Sequence, residues 1–461
     1  MHHQHHTDYV EVVSSKGPQK LSPRMKAIFI IMMVVGFGAL LLNALVPVSV
    51  EDVKSGSVIM GGRIAWIALL HNFYFFTGLS AAGVVIAAIV HITRAMWGRP
   101  IKRFAEAFGA FLPWSLLFFI IFAASQLMSD PQGLGVIYEW LQKGPDAGIF
   151  ENKAWWLTPN FVFGRCLIYL LVLAAVAHLF TKQSTRADMG LAHETNPDLW
   201  QAPAGWKGIE AERESSQHKQ GILSAVYCMA FAYFISLIAY DLLMSLDFRW
   251  ISTMYGGWNF TTFMLAGWGS LVLVTHLMSK RFGLEKYMHK YLYHDLGKLT
   301  FGFTVVWGYL MFAQINVIWY GNLSHETGWL ITRIFDETWQ PYTLVAMSLV
   351  FFIPFILGLG KKRKMSPITF APVVLISLVG IWIERFVQIA PASWYFQRTV
   401  DPQTHEVAGQ FVGGVGALFF WDAVVFLGFL GLFCLTFTSY LYKRPLMVIA
   451  DPRLSLGINR H

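Results

Sequence analysis

Apolar residues along this chain come in long unbroken runs, not in the three-to-four-residue rhythm of an amphipathic helix on a soluble core. Ten such runs stand out: 26–47, 64–92, 107–129, 159–181, 222–246, 258–279, 299–321, 341–360, 366–388 and 412–441. Each matches the roughly 20 residues that carry a helix across a bilayer. A spanning backbone has no water to bond to, so it must satisfy its own N–H and C=O groups as a helix. The pattern predicts an all-α integral membrane protein with about ten transmembrane helices over 26–441. A polar N-terminal tail (1–25) and a short C-terminal tail (442–461) flank them, and no loop is large enough to fold alone.

Composition agrees: the chain is 55% hydrophobic and only 13% charged, about half the charge of a soluble domain. A net charge of +8 would suggest nucleic acid in a soluble protein. Here the basic residues sit between the runs, no nucleic-acid module is visible, and the first partner is the lipid bilayer. Their distribution sets orientation, because Lys and Arg collect in cytoplasmic loops. The N-terminal tail, the C-terminal tail and every second connection hold 26 Lys and Arg, including the run Lys361–Lys364; the alternate connections hold seven. Both termini are therefore expected in the cytoplasm, and the segment YDLLMSLDFRW (240–250) at the outer end of the fifth run.

The three cysteines, Cys166, Cys228 and Cys434, fall inside apolar runs, and no CxxC or CxxCH occurs. Covalent haem, thiolate iron–sulfur clusters and thiolate zinc sites are not expected in this chain. His2, His3, His5 and His6 belong to a terminus that reads as a disordered tail or partial tag. Paired intramembrane histidines for a b-type haem are also not expected, since His71 has no counterpart at its depth.

Ionisable residues inside a membrane are costly and mark function or structural pairing. Depth follows from the orientation. His71 and Asn72, Arg165, Asp241, Gln314, Glu384 and Arg385, and Asp422 all fall in the outer half, on six runs. Nearly all the intramembrane charge is expected there. Such a set could bind a polar head group or conduct protons. Equally, Arg165 could neutralise Asp241, Glu384 or Asp422 and only hold the bundle together. Glu384 and Arg385 are adjacent and are expected to point to different partners. Asp247 and Arg249 read as a helix-end pair. Asp422, without a sequence-local partner, is the leading functional candidate. Tyr233, Ser236, Tyr240 and Asp247, and likewise Tyr309, Asn316 and Tyr320, recur at helical spacing as polar stripes that either guide protons or bond neighbouring helices. His91, His178 and His276 are expected to snorkel or cap near the cytoplasmic ends.

The stretches GRPIKRFAEAFGAFLP (98–113), DLLMSLDFRWISTMYGGW (241–258), YLYHDLGKLTFGFTVVWGYLMFAQINVIWYGNLSHET (291–327), VGIWIERFVQIAP (379–391) and FFWDAVVFLGFLGLF (419–433) resemble the F subunits of bacterial alternative complex III. These are NrfD/polysulfide-reductase-like membrane proteins. The resemblance implies two four-helix bundles with two flanking helices, in the bacterial inner membrane. It implies a quinol oxidoreductase that passes electrons to cytochrome c or a blue-copper protein. The implied partners are a paralogous NrfD-like C subunit, a periplasmic iron–sulfur subunit, multihaem and monohaem cytochrome c subunits, and other small membrane subunits. His71, Arg165, Asp241, Gln314, Glu384 and Asp422 would then bind quinone (menaquinone or ubiquinone) or carry protons. Two other readings stand beside it: a structural anchor for redox subunits, and a secondary transporter, which the off-centre charge and scarce interior prolines disfavour.

Overall fold

The computed structural model describes residues 9–45, 62–129, 135–143, 151–400, 407–411 and 414–458; the histidine-rich start of the chain lies outside them. Among the described residues, ten helices are long and apolar enough to cross a membrane. They are α1 (Pro23–Leu45), α2 (Gly62–Ile92), α3 (Arg99–Met128), α4 (Pro159–Thr195), α5 (Ile209–Asp247), α6 (Tyr255–Phe282) and α7 (Lys290–Gly321). After a short amphipathic helix α8 (Ser324–Ile334) come α9 (Gln340–Gly358), α10 (Pro367–Ser393) and α11 (Val415–Tyr442). All ten expected runs are present. Two helices overshoot: α4 reaches Thr195 and α5 starts at Ile209, so the polar loop expected over 182–221 is mostly helix. An antiparallel hairpin, β1 (Tyr395–Val400) with β2 (Val407–Phe411), joins α10 to α11.

Ten crossings return the chain to the side where it began, and the termini meet there: Gln19 donates its backbone N–H to the carbonyl of Tyr442 at 2.7 Å. We call this the terminal end and the other the distal end. The helices α2–α5 form one four-helix group and α6, α7, α9 and α10 a second, joined through α2 and α6. The pair α1 and α11 packs on the outside of α2. With lipid as apolar as any side chain, helices associate through close approach of small residues. Gly36 of α1 and Gly428 of α11 illustrate it: a Cβ on Gly36 would sit 2.2 Å from the Gly428 nitrogen.

The terminal end departs from expectation. His91, Arg99, Lys102, Arg103, Glu106, Asp188 and Asp451 are all buried there. Arg103 pairs with Glu106 and Asp188. Lys102 donates to Gln220 at 2.7 Å, and Arg99 pairs with Asp451 at 2.8 Å. Intramembrane and near-membrane charge is thus not confined to the distal half. Arg99, Lys102 and Arg103, counted as a topogenic loop, open α3 and point inward, and His91 joins this cluster instead of snorkelling. The tails are packed too: Trp200 donates to the Ser14 carbonyl at 2.8 Å, and Ala450 donates its N–H to Asp188 at 2.8 Å.

Candidate functional site

In the distal half the expected residues separate into three networks. The first joins α2, α10 and α11. Asp422 is fully buried; His71 Nδ1 lies 2.6 Å from its Oδ2, and Asn72 donates to its Oδ1 at 2.6 Å. The other imidazole nitrogen, Nε2, is 2.9 Å from the Trp382 carbonyl, and the Trp382 indole donates to Asn72 at 3.0 Å. Asp422 therefore has sequence-remote partners on two sides. Trp382 went unforeseen because an aromatic in an apolar run carries no signal of its own.

The second network joins α6 and α10. Contrary to expectation, Glu384 and Arg385 bond each other, with Arg385 Nε 2.5 Å from the Glu384 carboxylate. Consecutive helical residues diverge at Cβ, but the long guanidinium stem folds back. Arg385 also donates to Asn259, which accepts from Tyr74 at 2.9 Å. Gln388, one turn on, donates to Glu384 at 3.3 Å. The third network is separate. Arg165 takes Asp241 in a two-pronged grip at 2.7 and 2.6 Å, and Trp156 donates to the same carboxylate at 3.0 Å. The guanidinium stacks 3.8 Å from the Trp156 ring centre, a cation–π contact. Asp241 sits in a π-helical turn, Ala239–Leu243, the kind of bulge that often marks a functional position.

Several expected groupings do not form. Tyr233, Tyr309 and Tyr320 are 70%, 66% and 83% exposed, whereas Ser236, Tyr240 and Asn316 are half-buried and Asp247 is buried, so neither stripe forms one inward-facing polar line. The π-turn, followed by a 3-10 turn at Met244–Asp247, also breaks the spacing between Tyr240 and Asp247. Arg249 bonds Glu139 at 2.9 and 3.0 Å; it is not a simple helix-end partner of Asp247.

Two clefts open at the distal end. The first lies among α6, α7, α8, α9 and α10 and encloses about 440 Å³ of non-atom space including its mouth. Its deep wall carries Glu384, Gln388 and Gln314 with Trp258 and Trp307. Both indoles are buried at 1% exposure, and neither N–H has a hydrogen-bond acceptor among the described residues. Arg333 of α8 closes the top by donating to the Val387 and Gln388 carbonyls at 3.1 and 3.0 Å. The reason is local: Pro391 in α10 has no N–H to offer Val387 four residues back, and Arg333 satisfies that carbonyl instead.

The second cleft, about 620 Å³ of non-atom space including its mouth, is lined by Lys153, Trp156, Tyr240 and Trp250, and Trp156 connects it to the Arg165–Asp241 pair. Burial holds the Lys153 ammonium below its ordinary range, partly offset by the carboxylates of Asp247 and Glu326. Trp250 stacks on Trp329 of the first cleft, ring centres 4.0 Å apart and planes within 10°. This indole pair separates the two clefts. Of the expected site residues, Glu384 and Gln314 meet at the first cleft, Arg165 and Asp241 border the second, and His71 and Asp422 form a buried pair behind Glu384. Gln388, Arg333 and the unpaired tryptophans were not foreseen; Arg333 was legible only as a loop cation. No family model matches the chain, and no curated protein matches it closely enough to show a relationship.

Proposed function

We propose that this multi-pass membrane protein is the membrane subunit of a quinol:electron-acceptor oxidoreductase complex, with the quinol ring received in the cleft beside Glu384. The observation that carries this reading is a buried carboxylate, Glu384, among the residues lining one cleft together with Trp258 and Trp307, two buried indoles whose N–H groups have no acceptor among the described residues. A quinone oxygen is an acceptor that Trp258 or Trp307 can bind, and a quinol hydroxyl is a donor that Glu384 can accept. Oxidation of a quinol to a quinone releases two electrons and two protons. Glu384, whose carboxylate Arg385 bonds, can take one proton as a general base. The electrons pass to a partner subunit of the kind the sequence resemblance implies: iron–sulfur, multihaem cytochrome c or the paralogous C subunit.

A second reading has its own observation: Asp241, Glu384 and Asp422 each have a cationic or imidazole partner, as a purely structural anchor would require. The complex purified in mild detergent separates the two. Glu384→Gln is expected to lower decylubiquinol-driven reduction of the electron acceptor at least tenfold while the subunits and c-type haem absorbance co-purify unchanged. Wild-type turnover in an intact Glu384→Gln complex would sink the catalytic reading and leave the anchor.

A further inference from the structure

A polar cavity lies at the terminal end, away from both clefts. Residues of α2, α3, α4, α5 and the C-terminal segment 448–451 line it, around about 300 Å³ of non-atom space including its mouth. Most of its polar walls are spent on one another. Lys102 donates to Gln220 at 2.7 Å, Gln220 donates to Ser216 at 3.1 Å, and Ser216 donates to the Gln183 carbonyl at 2.9 Å. His91 has the Gln217 carbonyl 3.3 Å from Nε2 and the Lys102 ammonium 3.4 Å from Nδ1. The carboxylate oxygens on the walls are bonded as well. Asp188 accepts from Arg103 and the Ala450 N–H; Asp451 pairs with Arg99 and accepts from the Arg453 N–H.

The buried charges balance: Arg99, Lys102 and Arg103 face Asp451, Glu106 and Asp188. Arg213 of α5 is a further cation on the cavity wall. Its Nε is buried without an acceptor, and its guanidinium makes no hydrogen bond or ion pair among the described residues. Gln217, one helical turn on, lines the same cavity, and its side-chain amide has no acceptor among the described residues. A guanidinium carries five N–H donors and keeps its charge at any ordinary pH, so leaving it unmatched at a buried site is costly.

We infer that this cavity is a site for one small monovalent anion, of chloride size, held by the Arg213 guanidinium and the Gln217 amide. The walls offer spare donors and no spare carboxylate oxygen, which selects an anion over a cation. Water can satisfy the donors but leaves the Arg213 charge unmatched beside Lys102, where the surrounding protein screens it less than bulk water would. Size sets the upper limit. The enclosed part admits a body about the size of a water molecule, so a single-atom ion fits and a phosphate ester does not. Arg213 and Gln217 belong to α5, and another wall belongs to the C-terminal segment, so the ion joins the two.

The test follows the melting midpoint of the full chain in detergent at constant ionic strength, as sodium gluconate is replaced stepwise by sodium chloride. A ligand that binds only the folded state stabilises it as RT ln(1 + [L]/Kd). Chloride is therefore expected to raise the midpoint along a one-site curve, and bromide to do the same. Arg213→Gln removes the charge-assisted bonds and is expected to raise the half-saturating chloride concentration about tenfold or more. Lys219→Gln removes an exposed cation on the same helix and is expected to leave it within about twofold, because solvent screens that charge. Gln217→Leu keeps every charge, is expected to shift the curve upward by a smaller factor, and serves if Arg213→Gln misfolds. Equal midpoints in chloride and gluconate for the wild-type chain would overturn the site. So would an unchanged chloride dependence in Arg213→Gln, or an equal shift in Lys219→Gln. If sulfate or phosphatidylglycerol vesicles stabilise through Arg213 while chloride does not, the single-atom ion falls.

Discussion

Arg165 and Asp241 pose the sharpest energetic question in the distal half, because the same geometry serves a structural lock and a wall of a functional cleft. Asp241 has no exposed surface, and its carboxylate is held by two guanidinium N–H groups at 2.6 and 2.7 Å and one indole N–H at 3.0 Å. Replacing Arg165 with methionine keeps most of the stem volume but leaves a buried carboxylate facing Trp156 and the Cys166 thiol. Removing one partner of a buried pair costs about 3–5 kcal/mol, whereas replacing both with apolar residues of similar volume is often neutral. The expected pattern is therefore non-additive. Arg165→Met and Asp241→Leu each lower the melting midpoint in detergent by several degrees, and the double variant recovers at least half of the loss. The assay is a thermal ramp followed by size-exclusion chromatography, repeated across several detergents. Two single losses that simply sum in the double variant would show that the charges do not couple, and the structural account of the pair would fail. If the double variant regains stability but the complex loses quinol turnover, the pair also shapes the second cleft.

Further expectations concern other levels of the structure. Gly36→Leu should separate α1 from α11, since even a Cβ there would meet Gly428 at 2.2 Å; a loss of several degrees in the melting midpoint, absent for Gly38→Leu where nothing lies within 4 Å, would register it. Asp451→Asn removes the carboxylate that pairs with the fully buried Arg99, at a cost of about 3 kcal/mol or more, and should speed tryptic release of the C-terminal segment at Lys443 or Arg453. Lys153 is held below its ordinary value of 10.5 by burial, so just below that pH the unfolded chain binds more protons than the folded one. Stability from this group therefore rises with pH through that window. Lys153→Met should flatten that rise in melting curves taken from pH 8 to 10, and an unchanged slope would show that the lysine is not buried as described.

How much of this was legible in the sequence follows from what each interaction depends on. The ten spans were readable because unbroken apolarity over about 20 residues is a local property, and the shared side of the termini follows from their even number. Charges within the runs were readable one by one, for the same reason that they are expensive there. Their partners were not. His71 finds Asp422 across 351 positions, and Arg165 finds Asp241 across 76; no periodicity encodes a contact between helices. One local expectation about partners, that Glu384 and Arg385 must diverge, failed because backbone direction does not bind a side chain as long as arginine. The outer tyrosines Tyr233, Tyr309 and Tyr320 misled in the opposite way: spacing shows that residues share a face and says nothing of whether that face looks inward. The charge count also hid the terminal-end cluster, because Arg99, Lys102 and Arg103 score as cytoplasmic loop cations whether they face water or Glu106 and Asp188. The cleft beside Glu384 depends on all these things at once. It needs Pro391 to free a carbonyl and Arg333 of another helix to claim it. Proline content is visible in a sequence; where the helices leave a cleft is a property of the packed bundle.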